Sequence, residues 1–139
     1  HLLLLLISKF MSTNSRNQHL LNLRPELSSA KILDGTLTIE AFQSEVLRPI
    51  LKFQNDILIK IFLSKIITKN QKLETLSPLE KQNTIINQFK ANTALKQLLL
   101  GCVIGLFTDK DFEFYKTNTS SINKRIFSML KERLLDQWD

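Results

Sequence analysis

Residues 98–107 read LLLGCVIGLF, ten uncharged residues in a row with Gly101 and Gly105 four apart. Lys96 and Gln97 precede the run, and Thr108-Asp109-Lys110-Asp111 follow it. At helical rise ten residues cover only ~15 Å, half a bilayer core, so a buried helix is expected here and not a membrane span. A helix apolar on all sides has to be enclosed by other elements. The chain is therefore expected to be all-α, a compact bundle of about five helices around a buried central helix over 93–107. Lacking Cβ atoms, the two glycines suit close approach of a second helix backbone, expected from elsewhere in the same chain rather than from a second copy.

A length of 139 residues suits one domain able to bury its own core. Three glycines and three prolines leave few turns, which argues against a sandwich or barrel of many hairpins. The lone cysteine, Cys102, has no partner in the chain for a disulfide, so nothing marks an oxidising compartment. Residues 2–7 form an apolar run with no basic region before it and no small-residue cleavage site after it. A signal-peptide core usually takes ~7–15 residues. The expectation is a cytoplasmic protein with Met11 as its natural start and residues 1–10 foreign or upstream sequence; a truncated signal is the alternative. Residues 12–18 are polar and aperiodic, so residues 1–19 are read as a disordered or foreign arm and 20–139 as a single helical domain.

The net charge of +6 raises the question of nucleic acid. Basic residues run from Lys9 to Arg133, densest at Lys65-Lys69-Lys72 and at Lys124-Arg125 with Lys131-Arg133. No run of four occurs, and no RNA-binding aromatic motif or zinc-finger spacing is present. Solvated helix faces account for this pattern, and nucleic-acid binding is kept as the second reading.

Residues 20–37 mix Leu20, Leu21, Leu23, Leu27, Ile32 and Leu33 with Pro25, Ser28, Ser29 and Gly35, the composition of short turns. A helix should open at Thr36 or Thr38 and bury Phe42, Val46, Leu47, Ile50, Leu51, Ile57, Leu58, Ile61, Phe62 and Ile66, spaced by threes and fours. Pro49 lies inside this pattern and should kink or restart the helix, with Arg48 pushed out of helical angles. Ser77-Pro78-Leu79-Glu80 predicts a capping box with proline at the first helical position, opening a helix over 78–91 with Leu79, Ile85, Ile86 and Phe89 inward. Asn92 or Thr93 should cap the central helix, and Thr108 with Asp111 should cap a short helix through Tyr115. Ser120 or Ser121 should open the last, which turns Ile122, Ile126, Met129, Leu130 and Leu134 to one side.

Metal and acid–base chemistry at neutral pH draws on histidine, and only His1 and His19 occur, outside any HExxH or ExxH pattern. Asp109-x-Asp111-x-Glu113 begins like a calcium loop but lacks the turn glycine, and Ser120 stands at the twelfth position. Acids favoured by a helix dipole are the plainer account. Cys102, without a charged neighbour within four residues, is expected to be a buried, inert thiol. What remains is a polar stripe of Glu45, Arg48, Lys52, Asn55 and Asp56 at spacings of three and four, with Lys52 and Asp56 as an i,i+4 pair. If it converges with Tyr115, Asn118, Asn123 and Arg125, the two would form a polar notch for an anion or a partner's carboxylate. An exposed helix face beside a capped turn is the plainer account of these residues too.

The segment Leu47-Arg48-Pro49-Ile50-Leu51-Lys52-Phe53-Gln54-Asn55-Asp56, with Ile104-Gly105-Leu106-Phe107-Thr108 and Asn123-Lys124-Arg125, resembles a family of short uncharacterised all-helical proteins of Bacteroidota-type bacteria. Some of its members carry the label "glyoxalase", and the resemblance runs from about Leu21 onward. It implies no site residues. Glyoxalase-type enzymes use paired βαβββ modules with His and Glu ligands, and this sequence has neither the strand patterns nor any histidine beyond His1 and His19 near its start. The expected function is a helical protein-interaction module, self-association included, that acts by binding and needs no cofactor or metal. Nucleic-acid binding and an enzyme of the glyoxalase label are the alternatives.

Overall fold

The computed structural model describes residues 2–25, 37–66 and 75–138, the side chains of residues 7–14 excepted. Among the described residues the chain forms seven α-helices and no strand, so the all-α expectation holds. The helices are α1 (Leu2–Leu23), α2 (Ile39–Phe42), α3 (Arg48–Ile66), α4 (Pro78–Ala91), α5 (Thr93–Ile104), α6 (Asp109–Thr117) and α7 (Thr119–Gln137). None is long and apolar enough to cross a membrane.

Local chemistry explains most of the boundaries. The Thr38 hydroxyl accepts the amide of Ala41 at 3.1 Å and opens α2. Ser77 and Glu80 exchange side-chain-to-backbone bonds, each 3.2 Å, to open α4 at Pro78. Asn92 ends α4 and accepts the amide of Leu95 at 3.1 Å to begin α5. Thr108 and Asp111 form a second capping box at α6. The last helix begins at Thr119, a residue ahead of the predicted serines, after an Asn118 whose side chain makes no capping bond.

The α-helix restarts beside Pro49, as expected, but without a break in the helical run. Helix α3 begins at Arg48, α2 passes into it through a π-turn, Gln43–Leu47, and the amide of Arg48 donates to the carbonyl of Gln43, five residues back. Proline has no N–H to offer the carbonyl of Glu45, and its ring crowds that oxygen, so a wider turn takes up the strain. Arg48 keeps right-handed helical angles, φ −61° and ψ −48°, contrary to its expected displacement.

One core joins the helices. Phe42, Val46, Leu47, Ile50, Leu51, Leu58, Phe62 and Ile66 of the α2–α3 arm meet Leu95, Leu99, Leu100 and Val103 of α5 and Ile122, Ile126, Leu130 and Leu134 of α7. The ring of Phe42 stands edge-on to Phe107, and Phe62 stacks on Phe89. Two of the predicted inward residues face solvent instead, Ile57 and Leu79. Ile86 and Phe89 are only half-buried, as is Cys102.

Residues 2–19, expected to lie in an arm, fall within helix α1. Its leucines are strong helix formers, and among its described side chains the contacts to the body are mainly polar, which no hydrophobic period would disclose. Arg16 donates to the carbonyls of Phe107 and Gly105 at 2.9 and 3.0 Å. Asn17 and Asp109 bond each other twice, and Arg24 pairs with Asp111 while reaching the carbonyl of Leu106 at 3.1 Å. These cations sit where the carbonyl end of the α5 dipole favours positive charge. Leu20 is buried, whereas Leu2–Leu6 are 56–73% exposed. Residues 26–36, expected to form turns, lie outside the described residues.

Candidate functional site

The polar stripe of α3 does meet α7, but along a seam rather than in one notch. Asn55 and the end of α7 lock together: the Asn55 amide donates to Gln137 Oε1 at 2.7 Å, and Gln137 returns a bond to Asn55 Oδ1 at 2.8 Å. Arg133 shares that oxygen at 3.2 Å. About two helical turns before Arg133, toward the start of α7, Arg125 donates to Gln43 on the π-turn at 2.6 Å and to Glu40 on α2 at 3.1 Å. The hydroxyl of Tyr115 is taken up by Asn123 at 2.7 Å, joining α6 to α7. Asn118 turns its amide back onto the carbonyl of Phe114.

The predicted site residues thus separate into roles. Asn55, Tyr115, Asn123 and Arg125 fasten helices to one another. Glu45 is half-buried on the π-turn, and Lys52 is exposed on α3. Lys52 and Asp56 form no ion pair among the described residues; Asp56 instead accepts from its neighbour Asn55 at 3.3 Å. Arg48 is exposed, and its side chain has no hydrogen-bond or ion-pair partner among the described residues.

Arg48 is not isolated electrostatically. Burial, and after it the positive charge of Arg48, pull the Arg133 guanidinium below the usual arginine range. A groove of about 350 Å³ lies here, lined by Gln43, Arg48, Met129, Glu132, Arg133, Asp136 and Gln137. The sequence offered no means of singling out Arg133 and Gln137, which stand on an amphipathic helix among other charged residues.

The calcium-loop acids are engaged elsewhere. Asp111 is buried between its cap and Arg24, and Glu113 pairs with Lys116 at 3.0 Å. Among the described residues no group of three or more His, Cys, Asp or Glu side chains could hold a metal ion.

The glycine-bearing helix carries the second feature. α5 packs on α3, α4 and α7 and buries Leu95, Leu99, Leu100 and Val103. Its opposite side, Ala94, Gln97, Leu98, Gly101 and Gly105, faces solvent at spacings of three and four. A Cβ at Gly101 would meet nothing within 4 Å, and one at Gly105 only the carbonyl oxygen of Gly101, at 3.1 Å. The expected partner helix within the chain is therefore not there among the described residues. On α3, which lies against α5, Phe53 and Ile57 are each 47% exposed and one turn apart.

Compared with known proteins, the chain matches no family model, no curated protein and no solved structure.

Proposed function

We propose that the protein is a cytoplasmic helical interaction module that acts by binding rather than by catalysis, and that its partner is a second copy of itself. The observation that carries this is the open side of α5. Its own residues are uncharged over three turns, both glycines are exposed, and a Cβ at Gly101 would meet nothing within 4 Å. The Arg16 guanidinium of α1 reaches this side only at its end, on the Gly105 carbonyl. Leu98 on this side is 42% exposed. Small residues at such spacing let helix backbones approach closely, and apolar surface gains by leaving water. A net charge of +6 opposes self-association in general, but an uncharged face meets its own copy without setting like charges directly against each other, as a charged face of this chain would. A twofold pairing of α5 with α5 would be self-complementary and closed.

Sedimentation equilibrium tests this. The wild-type chain should approach twice its monomer mass as concentration rises, and Leu98→Glu, which sets like charges face to face, should remain monomeric with an unchanged circular dichroism spectrum. A wild-type chain that stays monomeric throughout, or a Leu98→Glu variant that dimerises equally well, would contradict the proposal.

A further inference from the structure

We propose that the groove between the π-turn and the second half of α7 binds a small zwitterion, an amino acid or short peptide, with its carboxylate between the guanidiniums of Arg48 and Arg133. At about 350 Å³ the groove is at the small end of ligand pockets, which run roughly 300–1,000 Å³. Two cations line it, and neither is neutralised in place. Only three ion pairs form among the described residues, and none includes Arg48, Arg133, Glu132 or Asp136. Arg133 spends one amino group on Asn55, leaving the rest of its guanidinium free of protein partners, and Arg48 spends nothing. Two unpaired guanidiniums beside one groove repel each other, and a carboxylate shared between them turns that repulsion into charge-assisted, fork-shaped hydrogen bonds.

The remaining lining decides which anion. Glu132 and Asp136 bring two negative charges to balance the two arginines, so the groove as a whole is neutral. A phosphate dianion would gain from the arginines and lose to the carboxylates. A zwitterion matches both, placing its ammonium toward Glu132 and Asp136 while Gln43 and Gln137 border the groove with neutral amides. The π-turn brings Gln43 to this groove, and such widened turns recur at functional sites.

Nuclear magnetic resonance of the side-chain Nε–Hε groups in the ¹⁵N-labelled full chain tests the proposal with glycylglycine as the probe. Sodium phosphate and sodium chloride at matched ionic strength are the comparison arms. The signals of Arg48 and Arg133 should shift saturably with glycylglycine and respond at least tenfold more weakly to either salt. Arg48→Ala removes an exposed side chain without partners, so it should fold as the wild type does and lose the Arg133 response. Arg48→Lys, which keeps the charge but not the fork, should bind several-fold more weakly. Absence of saturation, an equal response to sodium chloride, tighter binding of phosphate than of glycylglycine, or a full Arg133 response in both variants would overturn the proposal.

Discussion

Asp111 shows how one residue can be half legible. Its capping of Thr108 follows from a spacing of three, which any helix start displays. Its pairing with Arg24 joins residues 87 apart and leaves no trace in local sequence. Both side chains are nearly buried, and the Arg24 Nε has no partner among the described residues. Removing one member of such a pair strands the other, so Asp111→Ala should cost about 3 kcal/mol, read as a lower urea midpoint. Gly101 is the opposite case. Its small size was legible, but the space around it was not, because that depends on which helices pack where. With open space at its Cβ position, Gly101→Ala should raise stability by about 0.5–1 kcal/mol through helix propensity alone. A loss of stability measured in dilute solution would mean that something does lie against that face.

Elements with an apolar period were readable: α3, α4 and α7 stand where the spacing put them, because burial on one side imposes the 3.6-residue repeat. The outcome at Pro49 was not, since a missing amide can be met by a kink, a break or a π-turn, and the packing of Phe42, Val46 and Leu47 into the core favours the continuous form. Helix α1 was the element missed. It is tied to the α5–α6 junction by Arg16, Asn17 and Arg24, and these polar ties have no period. A chain starting at Met11 keeps these ties and sheds only exposed leucines among the side chains described, so it should melt within about a degree of the full chain. A chain starting after Arg24 uncovers Asp111 and the carbonyls of residues 105–107 and should melt several degrees lower. Equal melting of all three would show that α1 contributes nothing to the body.

At the scale of the whole molecule, length and the absence of strand patterns made the all-α bundle legible, while the candidate sites were not. Sites form where side chains some 80 residues apart meet, as Asn55 and Gln137 do, or where packing stops short, as on α5. The central claim is that the chain meets a copy of itself through that open side. Disulfide trapping tests it most directly, in a chain whose own thiol is removed by Cys102→Ser. A disulfide needs Cα atoms within roughly 4.4–6.8 Å, a distance that two helices in close glycine contact reach. Under mild oxidation Gly101→Cys should give a covalent dimer rapidly and in high yield, and Ser128→Cys, exposed on α7, should not. No cross-link at position 101, or equal cross-linking at both positions, would contradict the account.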